Sequence, residues 1–232
     1  NGMAEQALKG HPDIFLTIRR SAQARRITLR ISQLDGRVSL TLPKDITEVV
    51  AIEFAQQKAP WIRKHLECRL QNVFVGIGKE IPISGRMRLI SKGLGRSVQL
   101  KDKCFYVPGH EATVPRKVLG YLKVLARDRL AAASDYYASK LGYSYSGISI
   151  RDTRSRWGSC SSAGRLMYSW RLIMAPDVVL DYVAAHEVAH LAEMNHSPAY
   201  WAGVERIFGD YRPARRWLKN EGNMLHRFKF GD

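Results

Sequence analysis

His186, Glu187 and His190 lie in the run Ala185-His186-Glu187-Val188-Ala189-His190-Leu191, an H-E-x-x-H pattern. On a helix, at about 100° per residue, the two histidines fall about 40° apart on one face, one a turn above the other. Two imidazoles so placed can share one Zn²⁺ at about 2.0–2.1 Å. Glu187 points about 100° round from His186, so its carboxylate can reach a water beside the metal without ligating the metal. The chemistry implied is metal-assisted hydrolysis with Glu187 as general base. That chemistry needs a helix around the motif. Pro176, followed by Val178, Val179, Leu180, Tyr182, Val183, Ala184 and Ala185, supplies one. Proline suits a first helical position, and the apolar spacing reads as a buried helix. Two core histidines satisfied by hydrogen bonds are the plainer alternative, and the helical context speaks against it.

A catalytic zinc takes three protein ligands and keeps one position for water. His196 is the favoured third ligand, six residues after His190 in Glu193-Met194-Asn195-His196-Ser197-Pro198. Asn195 suits the left-handed turn that ends a helix. Ser197 and Pro198 read as the N-cap and first residue of the next helix. The same second-to-third spacing occurs in H-E-x-x-H-x-x-G-x-x-H. Glu193 stands at the glycine position here, which moves the expected turn to Asn195. Glu205, on the following helix, is the second candidate.

A chain of 232 residues can form one large domain or two small ones with ample core. Hydrophobic residues at 45% and charged residues at 25% are ordinary for a globular protein. No apolar run approaches the ~18 residues of a membrane span. The start from Met3 to Lys9 lacks the apolar centre of a signal peptide. Cys68, Cys104 and Cys160 are odd in number and widely spaced, so no disulfide framework or Cys-x-x-Cys knuckle is expected. A reduced cytoplasm is the simplest compartment. The net charge of +16 favours polyanions, so a nucleic-acid partner stays open, although no nucleic-acid module is recognisable.

The elements that must carry the motif follow from periodicity. Residues 14–20, 26–33 and 37–42 alternate like strands, with Asp35-Gly36 as a hairpin turn. Residues 45–71 read as one helix. Short strands follow at 80–83, 87–90, 97–100 and 104–107. Pro108-Gly109-His110 marks a boundary. Beyond it come a long helix over 114–141, strands at 146–151 and 165–172, the motif helix, and helices at 198–208 and 213–220. The fold class is α+β: a small β-rich N-terminal α/β domain over 13–108, and a C-terminal domain over 109–232 built on the H-E-x-x-H helix.

Further motifs carry a resemblance. These are Arg154-Ser155-Arg156-Trp157-Gly158-Ser159-Cys160-Ser161, Tyr168-Ser169-Trp170-Arg171-Leu172, Asn195-His196-Ser197 and Tyr200-Trp201, taken with the H-E-x-x-H run. Together they resemble the YgjP-like family of metal-dependent hydrolases, relatives of the SprT-like and WLM zinc peptidases. The early arginine-rich hairpin, Ala59-Pro60-Trp61-Ile62 and Tyr211-Arg212 also fit. The resemblance implies a zincin-like C-terminal domain with one zinc per chain held by His186, His190 and His196, and Glu187 catalytic. Ser169 departs from the asparagine more usual there, which would alter specificity if the position met substrate.

Three functions follow. The first is a zinc metallopeptidase acting on peptide or protein. The second is a nucleoside-triphosphate pyrophosphatase acting on UTP at the same metal, with arginines clamping phosphates. The third is a nucleic-acid-associated module with structural zinc, which a glutamate beside the first histidine argues against. Arg154, Arg156, Trp157, Arg171 and Arg212 are the candidate substrate contacts. Trp157 reads first as a packing aromatic, and Cys160 as a small buried thiol. His11, His65, His110 and His226 lack ligand spacing and are expected at the surface.

Overall fold

The structure, a computed structural model, describes residues 4–32, 36–67 and 71–231. It divides into two compact units, residues 1–71 and 72–232. In the first unit, β1 (Ala4–Leu8), β2 (His11–Arg20), β3 (Thr28–Ile31) and β4 (Val38–Leu42) form a sheet ordered β1-β2-β4-β3. β2 and β4 run parallel, and the outer pairs are antiparallel. Alternation buries Ile14, Leu16 and Ile18 on β2 and Val38, Leu40 and Leu42 on β4. Two helices, α1 (Glu48–Gln57) and α2 (Ala59–Glu67), add Ala51, Ala55, Ala59 and Ile62 to that core. The β3–β4 hairpin forms as expected, although Asp35 of its turn lies outside the described residues, as does Cys68.

The helix expected over 45–71 is two helices, parted at Lys58. Pro60 is the cause: it lacks an N–H and its ring would strike the carbonyl four residues back, whereas the first turn of a new helix accepts it.

The second unit opens with β5 (Val73–Phe74), β6 (Glu80–Ile83), β7 (Arg86–Lys92), β8 (Gln99–Lys101) and β9 (Cys104–Val107). A short 3₁₀ turn, Glu111–Thr113, leads into α3 (Val114–Leu141). Then come β10 (Gly147–Arg151), β11 (Gly158–Cys160), β12 (Arg165–Ser169), a 3₁₀ segment Trp170–Met174, α4 (Asp177–Ala189), α5 (Pro198–Phe208), α6 (Arg212–Asn220) and β13 (Phe228–Lys229). Three sheets result, ordered β6-β7-β9-β8, β10-β12-β11 and β13-β5. The strand expected over 165–172 stops at Ser169, whose Oγ accepts from Arg171 N at 3.4 Å and caps the 3₁₀ segment. That segment is wholly buried, and an apolar run of this kind has no period to tell helix from strand.

Val118, Leu122, Ala126 and Leu130 of α3 share one core with Val179, Leu180, Val183 and Val188 of α4. Ile81, Ile83, Ile90, Phe105 and Val107 of the earlier strands belong to the same core. The boundary expected at 108/109 therefore has no counterpart in this division. Pro108-Gly109 is a turn, with Gly109 at φ 98°, that delivers β9 straight into the helix against which it packs. Among the described residues, no helix is long and apolar enough to cross a membrane.

Because residues 72–232 hold a core of their own, a fragment of that length is expected to fold without residues 1–71. Its thermal unfolding, followed by circular dichroism, should be a single cooperative transition. A broad, non-cooperative melt would show that this core is not self-sufficient.

Candidate metal centre

His186 and Glu187 lie in the last turn of α4, and His190 follows at its C-cap in helical conformation. The four-residue spacing brings the two rings to 5.3 Å, edge to face. The chain then tightens by one turn, with Leu191 N donating to Val188 O and Ala192 N to Ala189 O. Asn195 is not left-handed. Its Oδ1 instead accepts from Ser197 N at 3.1 Å, and Ser197 Oγ accepts from Tyr200 N to cap α5 ahead of Pro198. This reversal folds His196 back over the end of α4. One ring nitrogen from each of His186, His190 and His196 lies within 4.8 Å of the others.

The aromatic residues of α5 hold this arrangement. Tyr200 is buried, donates its hydroxyl to His186 O at 2.8 Å, and stacks on the His190 ring at 4.5 Å. Trp201 stacks on His196 at 5.7 Å, and Arg215 lies over Trp201 at 4.7 Å. Tyr182, one turn before His186, places its hydroxyl 3.5 Å from His186 Nδ1. His190 Nδ1 lies 3.0 Å from the Glu193 carbonyl, which can only accept, so this nitrogen carries the proton and Nε2 is left as a donor atom. His186 Nε2 and His196 Nε2 are 3.3 Å apart. Two ligands at about 2.0–2.1 Å in tetrahedral arrangement stand about 3.3–3.4 Å from each other, so the donor set fits a zinc-sized ion.

Electrostatics agrees with this use. Burial, then the neighbouring His190, His196 and Arg215, pushes His186 down to about 3. Burial likewise lowers His190. Neutral imidazoles are what ligation requires. Glu187 is only 5% exposed, and burial raises its carboxyl to about 8 against the opposing pull of Arg156. Among the described residues no side chain or backbone group donates a hydrogen bond to that carboxylate.

Other sequence-derived candidates fall elsewhere. Glu205 is exposed and lies 3.7 Å from Arg212, outside the histidine group. Arg212 also pairs with Asp210 at 3.1 Å. Arg171 is buried: its Nε and Nη2 grip both oxygens of Asp152 at 2.8 and 3.2 Å, and its Nη1 donates to Leu225 O and Phe228 O. It clamps the C-terminal segment. Ser169 is fully buried and serves as the cap of the 3₁₀ segment. Arg154 and Arg156 are exposed, and Trp157 is half-buried against His226 at 5.3 Å. Cys160 is half-buried, its thiol pushed up by burial and by Glu187. His226 is buried, not at the surface, its ring packed beside Trp157. Tyr182, Arg215 and the Glu193 carbonyl carried no role in the sequence reading. Of these only Tyr182, four residues before His186, had a spacing that could have flagged it.

The family model described as YgjP-like, metallopeptidase domain, matches residues 25–221. The chain belongs to the YgjP-like family. No curated protein matches this YgjP-like chain. Among solved structures it is similar to the metallopeptidase zymogen abylysin of Pyrococcus abyssi, at 22% identity over 40% of this chain and 95% of that one, with a TM-score of 0.36.

Burial, and then the charge of Arg171, holds His226 down at about 4, below the ordinary 6.5. Between those pH values the unfolded chain binds a proton that the folded chain refuses. Stability from this group is therefore full above pH 6.5 and is lost as pH falls toward 4, by at most about 3 kcal/mol. Urea unfolding at pH 7.5 and 4.5 should show a smaller pH loss in His226→Asn than in the parent chain. Equal losses would remove His226 from the acid response.

Proposed function

We propose that this protein is a zinc-dependent metallopeptidase in which His186, His190 and His196 hold the metal and Glu187 is the general base. The observation that carries this is the convergence of three ring nitrogens within 4.8 Å beside a carboxylate that is 5% exposed. When bound, zinc supplies Lewis acidity, polarising a carbonyl and acidifying water. Glu187 takes the proton from the attacking water and returns it to the leaving amine. Its burial suits that role, since a carboxyl held near neutral pH both accepts and donates. Tyr200 and the Glu193 carbonyl hold the histidine rings in register. Membership of the YgjP-like metallopeptidase-domain family supports peptide as the substrate class.

Nucleotide hydrolysis has less support. Of the four arginines offered as phosphate clamps, Arg171 and Arg212 are already committed to carboxylates. A purely structural metal fits poorly with a carboxylate buried beside the ligands, which a structural site does not need. A cytoplasmic location and the zincin-like assignment of the C-terminal unit belong to the same reading.

About one zinc per chain is expected by elemental analysis, lost in His186→Ala and His196→Ala but kept in Glu205→Ala. Zinc retained by His196→Ala and lost by Glu205→Ala would move the third ligand to the glutamate.

Glu187→Gln should keep the metal and fold yet lose about 10²–10⁴-fold in cleavage of an unfolded protein, since an amide accepts no proton. UTP assayed alongside should be untouched. Glu187-dependent release of pyrophosphate without proteolysis would replace the peptidase reading.

A further inference from the structure

The Arg-Trp-Gly-Ser-Cys run has no ligand or base in it, yet it lies against the base. A Cβ built on Gly158 would stand 2.6 Å from Glu187 Cγ, 2.6 Å from Oε1 and 2.8 Å from Cδ. Real Cβ atoms essentially never come within 3.0 Å of such neighbours. Gly158 is not among the residues with positive φ, so its backbone does not call for glycine. Glycine inside a strand is disfavoured and marks a close approach. Here the approaching group is Glu187.

β11 cannot retreat to make room. Gly158 is registered against Tyr168 on β12, and Ser169 N donates to Trp157 O at 2.9 Å. Trp157 is itself wedged: its ring lies 5.3 Å from His226, and a Cβ built on Gly222 would stand 3.0 Å from its Cζ2. Glu187 belongs to a helix buried against α3. Between two fixed backbones, the carboxylate arm is the part free to move.

We propose that Gly158 is a positioning residue for Glu187, its missing side chain being the space in which the carboxylate rests. The role rests on the reading of Glu187 as base, but the contact itself can be tested without substrate. In the metal-loaded full chain, Gly158→Ala should lower Tm by about 2–10 °C. In a Glu187→Ala background, which removes all three close atoms, the same change should cost almost nothing. Metal content should be unchanged throughout. If Gly158→Ala alone is insoluble, recovery of soluble protein in the Glu187→Ala background supports the proposal, and continued insolubility overturns it. Equal Tm losses in both backgrounds also overturn it. Where cleavage of unfolded protein is followed, Gly158→Ala should lower kcat about 10–100-fold at little change in KM. A kcat equal to the parent's, in a variant whose melting shows the coupling, overturns the positioning role. The melting cycle reads the contact alone, so it fails or succeeds separately from the hydrolase reading that Glu187→Gln tests.

Discussion

Three imidazoles meeting at one point repel each other if protonated and offer each other only weak edge-to-face and hydrogen-bond contacts if neutral. The second unit has to bring them together against that indifference. Two come from one helix, where a spacing of four makes their approach automatic. The third must be carried back by a chain reversal, and the reversal is held from outside. Tyr200 donates to the carbonyl of His186 and lays its ring on His190, while Trp201 covers His196. The Ser197 cap sets the start of α5 and therefore the height of both aromatics. Loss of that cap would move Tyr200 and Trp201 together, which is why a polar residue seven positions from His190 bears on the metal centre.

Burying the Glu187 carboxylate is the second demand. An unpaired buried charge costs several kcal/mol, and proteins meet the cost by leaving the group neutral or by giving it a partner. Here burial raises the group, and the charge of Arg156 opposes it only in part. Such a group persists where function uses it. The fold accommodates it sterically at Gly158 and holds that strand through Trp157, which packs against Gly222 and His226. Residues far apart in sequence thus serve one carboxylate.

Much of this was legible in the chain. The H-E-x-x-H pattern, its helix and the cap at Ser197 depend on short-range spacing, which the sequence displays directly. The helix over 114–141 was legible for the same reason, with Gly142 at φ 82° ending it. Other features depended on partners that spacing cannot reveal. The break at Lys58 was written in Pro60 but masked by apolar residues on both sides. The 80–107 strands looked N-terminal because Pro108-Gly109 resembles a linker, yet their apolar faces belong to the core of α3. Arg171 looked like a substrate contact because nothing local says that Asp152 and two C-terminal carbonyls take its donors.

The same reasoning limits what the net charge of +16 can say about substrate. Net charge sums over residues with different duties. Arg171 is a buried clamp, and Arg212 belongs to a surface pair. Arg156 and Arg215 act on the centre, one on Glu187 and the other on His186. Both guanidiniums are exposed, so their fields are screened within about 8–10 Å at physiological salt. Two screened cations flanking the three histidines can bias the approach of an anionic group. They do not form the buried, bidentate cradle by which a triphosphate is gripped. In the metallopeptidase we propose, a peptide needs only one polarised carbonyl and a base within reach of water, a scale that the three histidines and Glu187 match.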